Sequence, residues 1–304
     1  MSKNTKLYKW VDNNIKNIDN SKTVLVIGST GSIGSYLCDF LSYKGAKLII
    51  AGRNSSALND LKDKLTKKYN NDIKTLIIDY ANINTVNEAL NELEENLNVD
   101  IIINNAGIYH QPKKDIYGFD QTYLINYLMP VYFFEHITNL DKFKNIKIIN
   151  VASVSYRYHE LDYNDFTGEN RKSKTARYSS TKRLLMYYSN YLKKYKNINT
   201  ILAHPGVSTT NLFSKKNKAY PKIFYIVCVP IMKVLFMKPI KASLSLLKAI
   251  DTSSVNLDEW VGPRGLLHSW GYPNIQKIHG DIMDENQLKK VYERTMLDLK
   301  ELNK

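Results

Sequence analysis

Residues 23–203 alternate between two hydrophobic patterns. One is a short unbroken run of branched apolar residues, seen at Thr23–Ile27, Lys47–Ala51, Thr75–Ile78, Asp100–Ile103, Ile146–Val151 and Thr200–Ala203. Runs of this length without polar alternation predict strands covered on both faces, as parallel sheets require. The other pattern repeats apolar residues every three or four positions. It predicts helices over Ser35–Lys44, Ser55–Tyr69, Ile83–Leu97, Gln121–Thr138 and Ala176–Tyr195. Ahead of the first strand, Leu7, Trp10, Val11, Ile15 and Ile18 predict a short helix over 7–18, docked by one face.

Strand–helix alternation with right-handed crossovers predicts an α/β fold: a Rossmann-like, doubly wound parallel sheet in three αβα layers. No linker rich in Pro, Gly or Ser interrupts it, so a single domain is expected, with additions after about residue 205.

The chain has 304 residues, 43% hydrophobic and 24% charged, enough for one large core and unlike a disordered or disulfide-built chain. Its net charge of +14 raises the question of a polyanionic partner. Only Arg53, Arg157, Arg171, Arg177, Arg183, Arg264 and Arg294 are arginines, and the lysines are scattered in pairs such as Lys67-Lys68 and Lys193-Lys194. Readers of nucleic acid gather arginine on one face, so this excess reads as a solvated surface and no nucleic-acid partner is expected. Cys38 and Cys228 sit among apolar neighbours without metal-ligand spacing, which suits core positions in a reducing, cytoplasmic setting, with no metal. Met1–Trp10 is polar and has no secretory h-region. Ile223–Met237 is apolar, but Pro230 and Lys233 break it short of a membrane span.

The first predicted strand runs straight into Gly28-Ser29-Thr30-Gly31-Ser32-Ile33-Gly34 and then a helix. Glycines allow the tight turn and close approach that a pyrophosphate needs, and the helix start supplies amide donors. The second strand ends in Gly52-Arg53. A carboxylate there would grip a ribose 2′-hydroxyl, whereas a guanidinium suits a 2′-phosphate, so NADP(H) is expected in preference to NAD(H). Asp79, ending the third strand, suits either the adenine amine or a simple turn into the next helix.

Tyr178 and Lys182 stand one helical turn apart. A fixed cation beside a phenol would lower its pKa toward the working range of an acid–base catalyst. Asn104-Asn105-Ala106-Gly107 follows the fourth strand and Ser153 the fifth, Asn126 lies in the helix between them, and Pro205-Gly206 follows the sixth. All fall at the carboxyl ends of strands or on helices beside them, where open α/β sheets bind ligands.

Together these motifs resemble the short-chain dehydrogenase/reductase superfamily over residues 22–275. The insertion Val154–Arg177, His204-Pro205-Gly206-Val207 with Thr209-Thr210, and Trp260-Val261-Gly262-Pro263-Arg264-Gly265 are similar to its retinol-dehydrogenase-like branch. The resemblance implies that Tyr178 exchanges a proton with a carbonyl or alcohol oxygen and that Ser153 hydrogen-bonds the same oxygen. It implies that Lys182 holds the nicotinamide ribose and that Asn126 helps to hold a water beside Lys182. Cofactor contacts are implied for the whole loop Gly28, Ser29, Thr30, Gly31, Ser32, Ile33 and Gly34, and for Arg53, Asp79 and Tyr80. They are implied also for Asn105, Ala106, Gly107, Tyr178, Lys182, Pro205, Gly206, Val207 and Thr209.

Three regions are then expected: an N-terminal helical extension (1–21), the dinucleotide-binding domain (22–275) with a substrate lid at about 208–240, and a C-terminal helical tail (276–304). The apolar lid implies an apolar aldehyde, ketone, retinoid-like or steroid-like substrate. Peripheral contact with a membrane through that lid and its flanking lysines, and self-association into a homo-oligomer, stay open. Two other functions also stay open: a non-catalytic NADP(H)-binding regulator, and a nucleotide-sugar epimerase or dehydratase. The second is suggested by the spacing Gly28, Gly31, Gly34, with Ser32 where the branch places a glycine.

Overall fold

The computed structural model describes residues 3–109, 111–171, 173–207, 237–265 and 269–302. Thr209, Thr210, Cys228 and the lid over 208–236 lie outside the described residues.

Helix α1 (Lys3–Asn14) precedes strand β1 (Thr23–Ile27), followed by α2 (Ser32–Tyr43), β2 (Lys47–Gly52), α3 (Ser55–Tyr69), β3 (Ile73–Ile77), α4 (Ile83–Glu95) and β4 (Ile101–Asn104). A two-stranded hairpin, β5 (Asp115–Ile116) and β6 (Phe119–Asp120), leads into α5 (Gln121–Tyr123), a π-helical turn at Leu124–Leu128, and α6 (Met129–Thr138). Then come β7 (Lys147–Val151), α7 (Lys174–Tyr195), β8 (Asn199–Ala203), α8 (Pro239–Asp251), β9 (Glu259–Pro263), β10 (Pro273–Lys277) and α9 (Glu285–Leu302).

The main sheet has the order β10-β9-β8-β7-β4-β1-β2-β3. Every pairing is parallel except β9–β10, an antiparallel addition that starts at Pro273 on the sheet edge. The direction of winding reverses between β1 and β4, which opens a crevice at their carboxyl ends. Both faces are covered, which is why the strands read as continuous apolar runs. Leu25 and Ile27 of β1 pack with α4, α6, α7 and α9, while Val24 and Val26 pack with α1, α2, α3 and α8. The result is a three-layer α/β fold in a single domain.

Three departures from the sequence-based expectation have local causes. Helix α1 ends at Asn14, because the amides of Lys16 and Asn17 both donate to Asp251 at the end of α8 (2.6 and 2.7 Å), so Ile15 and Ile18 enter the core from a non-helical arm. Helix α2 starts at Ser32, inside the glycine loop, with Gly31 as its N-cap. The expected C-terminal helical tail begins with the second half of β10, and its helix starts at Glu285. Among the described residues no helix is long and apolar enough to cross a membrane.

Candidate active site

The crevice at the β1/β4 reversal is built by backbone proximity. Gly28 has φ +83°, and a Cβ there would lie 2.8 Å from the Ala106 nitrogen. A Cβ on Gly34 would collide with the Gly28 carbonyl and stand 2.9 Å from the Ser29 Cα. These two positions therefore admit only glycine, one for the turn and one for close packing of α2 on it. No side chain caps the start of α2 at Gly31, which leaves its positive end facing the crevice. Asn105 ties the two loops together by donating from Nδ2 to the Gly28 carbonyl at 3.0 Å.

A cleft of about 240 Å³ opens here, lined by Gly28, Thr30, Gly31, Arg53, Asp79, Tyr80, Asn105, Ala106 and Gly107 among the residues expected from sequence. Gly52, Ile78, Ile108 and Ile125 line it as well. They were not expected, although each directly adjoins an expected residue or motif. Ser29, Ser32, Ile33 and Gly34 shape the turn without lining the cleft: Ser29 is buried with its hydroxyl on the Ala51 carbonyl (3.1 Å). Arg53 is exposed at the rim and has no ion-pair partner among the described residues. Asp79 accepts from the Ala81 amide (3.0 Å), as a turn residue does, while still facing the cleft. Tyr80 turns its hydroxyl toward buried Asn104. Pro205, Gly206 and Val207 sit at the end of β8, where the Val207 carbonyl accepts from the Met237 amide across 3.0 Å.

Ser153, Tyr178, Lys182 and Asn126 converge beyond Gly107. Ser153 caps a short 3-10 turn after β7, and its Oγ accepts from the Ser155 amide (3.2 Å) and the Ser155 hydroxyl (2.9 Å). Lys182, buried on α7, donates to the Val151 carbonyl at 2.7 Å and lies 5.8 Å from the Tyr178 ring centre. A Cβ on Gly107 would lie 3.2 Å from Asn126 Oδ1 and 3.8 Å from Lys182 Nζ, so both side chains face that glycine. Asn126 is buried in the π turn; its Oδ1 accepts from the Ile108 amide (2.7 Å) and its Nδ2 donates to the Ile108 carbonyl (2.8 Å).

The electrostatics differ from expectation. Burial pushes the half-buried Tyr178 phenol up to about 12, although a hydrogen bond from Ser153 pulls the other way. Burial also draws Lys182 down to about 8. Loss of hydration thus outweighs the Ser153 hydrogen bond, and the phenol is held protonated through neutral pH. Sequence reading missed Tyr109, whose ring stands edge-on to Tyr178 at 4.8 Å, and Arg177. The buried Arg177 guanidinium donates to the Arg171 and Gln111 carbonyls (both 2.9 Å), joining the 111 loop to the insertion beside Tyr178.

A family model described as short chain dehydrogenase matches residues 22–221. Among curated proteins, the chain is 31% identical over 214 residues to Short-chain dehydrogenase TIC 32 A, chloroplastic, of Brassica napus, covering 63% of this chain and 65% of that protein. It is 29% identical over 205 residues to Retinol dehydrogenase 13 of Homo sapiens, covering 63% and 60%. The matched stretch is therefore less than two thirds of the length of either relative. The solved short-chain dehydrogenase from Sphingobium yanoikuyae in complex with NADPH superposes with TM-score 0.60 at 17% identity, over 77% of this chain and 86% of that one. That likeness establishes the shared fold.

Proposed function

The chain belongs to the short-chain dehydrogenase family, and from that premise we propose that it is an NADP(H)-dependent oxidoreductase acting on a carbonyl or alcohol of an apolar substrate, with the cofactor supplying or accepting the hydride. The observation that carries this reading is the convergence of Ser153, Tyr178 and Lys182 beside a glycine-built cleft. The cleft fits a dinucleotide in kind. Gly28 and Gly34 let the loop turn tightly and α2 pack close against it, and the uncapped start of α2 suits a pyrophosphate. Arg53 at the rim takes the 2′-phosphate, Lys182 holds the nicotinamide ribose, and the Gly107 turn borders the same space.

Tyr178 gives its phenolic proton to the carbonyl oxygen in reduction. Its pKa of about 12 keeps the phenol protonated across the neutral range, the form that reduction uses. Ser153 donates to the same oxygen, stabilising charge as it develops there. Its Oγ already accepts twice from Ser155, so its own proton is turned to the Tyr178 side, where a substrate oxygen would share it. Asn126 fixes the backbone next to Gly107.

The finer assignment, a retinol-dehydrogenase-like enzyme, is supported by the likeness to Retinol dehydrogenase 13 and by the aromatic edge of Tyr109 over Tyr178. Ile108 and Ile125 add apolar wall at the adjoining cleft. The test is Tyr178→Phe, assayed by NADPH oxidation with a panel of apolar aldehydes and ketones. Turnover should vanish while NADPH binding persists. Retained turnover, or wild-type protein that binds NADPH yet reduces nothing in the panel, would overturn the assignment.

A further inference from the structure

The rod from Gln121 to Thr138 is interrupted by one π turn, Leu124–Leu128, and Asn126 lies at its centre. Such single π turns occur mostly at functional sites, and each needs support because its backbone bonds are set one residue wider. On one side the turn is fastened to the site. Asn126 clasps both backbone groups of Ile108 and donates to the Thr181 hydroxyl at 3.3 Å; that hydroxyl in turn donates to the Tyr178 carbonyl at 2.7 Å.

On the other side the turn is fastened to α9. Tyr123 and Tyr127, both fully buried, flank Asn126 in sequence. The Tyr123 hydroxyl donates to Asp298 Oδ2 at 2.7 Å, while Asp298 Oδ1 takes the Arg294 guanidinium at 2.9 Å. Thr295 spends its own proton on the Val291 carbonyl (2.7 Å), so it accepts from Tyr127 at 2.6 Å. Two buried phenols thus meet two partners one turn apart on a helix near the far end of the chain. Apolar packing alone would not need these two oxygens, and a buried polar pair fixes register in a way that packing does not.

We propose that Asp298 and Thr295 are positioning residues. They hold the π turn in register, so that Asn126 stays on Ile108 and, through Thr181, on the turn of α7 that carries Tyr178 and Lys182. The catalytic consequence rests on the oxidoreductase reading; the structural one does not.

The experiment compares Thr295→Val, Asp298→Leu and the conservative Thr295→Ser with wild type in the full-length chain. Tyr188→Phe serves as a control, because it removes another buried phenol whose hydroxyl is bonded to Glu135 at 2.9 Å and makes no hydrogen bond to the π turn. The first readout is amide exchange at Ile108, which needs no turnover. Thr295→Val and Asp298→Leu should each speed it at least tenfold, with Thr295→Ser and Tyr188→Phe near wild type. The second readout is kinetic: kcat should fall about tenfold with KM for NADPH within twofold, and recover in Thr295→Ser. Unchanged Ile108 exchange, an equal rise in Tyr188→Phe, or faster exchange with kcat intact would overturn the proposal. A wild type that turns over no carbonyl would remove the oxidoreductase reading alone, and the exchange comparison would still decide the positioning role.

Discussion

The Ser155 hydroxyl donates to the Ser153 Oγ across 2.9 Å, and the Ser155 amide reaches the same atom at 3.2 Å. A hydroxyl that accepts twice has its remaining proton aimed by those two bonds. Ser155→Ala removes one of the two and leaves the amide. The expected loss in kcat is about fivefold, the worth of one neutral hydrogen bond. Ser153→Ala removes the donor itself and should cost about a hundredfold. Steady-state kcat values for the two variants check the ranking, and equal losses would mean that Ser155 contacts the reacting group directly.

Lys182 and Tyr178 set opposite pH responses. For Lys182 the folded-state pKa, about 8, is below its ordinary 10.5, so the unfolded chain binds more protons between those values and its contribution to stability rises with pH across that window. Tyr178, held at about 12 against an ordinary 10.0, makes stability fall between pH 10 and 12. At neutral pH, keeping Lys182 charged in its buried position costs on the order of 3 kcal/mol. Lys182→Met should therefore hold its Tm relative to wild type better at pH 7 than at pH 10, while activity is lost at both. Thermal melts at the two pH values test this; a relative Tm independent of pH would mean that Lys182 is not perturbed by burial.

In catalysis the same pair predicts a one-sided profile. On the proposed mechanism carbonyl reduction needs a protonated Tyr178, satisfied far into the alkaline range, and a charged Lys182, lost above about 8. Followed as kcat/KM for NADPH, activity should be flat at neutral pH and fall tenfold per unit above about 8. A descent starting only near pH 10 would assign control to another group.

How much of this was legible before folding follows from which interactions are local. The runs at Thr23–Ile27 and the helix at Ser55–Tyr69 were read with correct ends, because burial on both faces and the cap at Asn54 each leave a local signature. Strand β9 was not read. Glu259–Pro263 carries a glycine and a proline in five residues, and its place depends on Gly262 lying against His204 of a distant segment. The π turn at Asn126 likewise has no local pattern, since Tyr123 and Tyr127 are held by residues 175 and 168 positions away. Residue types and spacing singled out Ser153, Tyr178 and Lys182, and the fold brings the three together. The sign of the Tyr178 pKa shift was not legible, because desolvation is a property of the packed environment.

The glycine loop makes unequal demands. A Cβ on Gly34 meets backbone of Gly28 and Ser29, which cannot yield, whereas one on Gly31 (φ −69°) lies 3.3 Å from the Gly28 carbonyl. Gly34→Ala should therefore lower Tm by several degrees, about what a 1–3 kcal/mol overpacking penalty gives. Gly31→Ala should shift Tm little and act mainly on NADPH binding, where its methyl stands in the cleft. Equal Tm losses would show that the loop carries the same strain at both positions.

The proposed preference for NADP(H) puts Arg53 to the test as the group that tells the two nicotinamide cofactors apart. It is exposed at the cleft rim without an ion-pair partner among the described residues, so Arg53→Ala removes no internal contact and Tm should stay within a degree of wild type. Gly52 beside it offers no carboxylate for a ribose 2′-hydroxyl, so the guanidinium is the group at this rim able to recognise what differs between the cofactors. Loss of a charge-assisted contact of about 1.5–3 kcal/mol predicts a Kd for NADPH raised roughly ten- to a hundredfold. The Kd for NADH should move less than twofold, since its ribose carries no phosphate there. Fluorescence titration of both cofactors against wild type and variant measures the ratio directly. Equal weakening of both would mean that Arg53 stacks on the adenine they share, and the preference for NADP(H) would then have to come from elsewhere in the cleft.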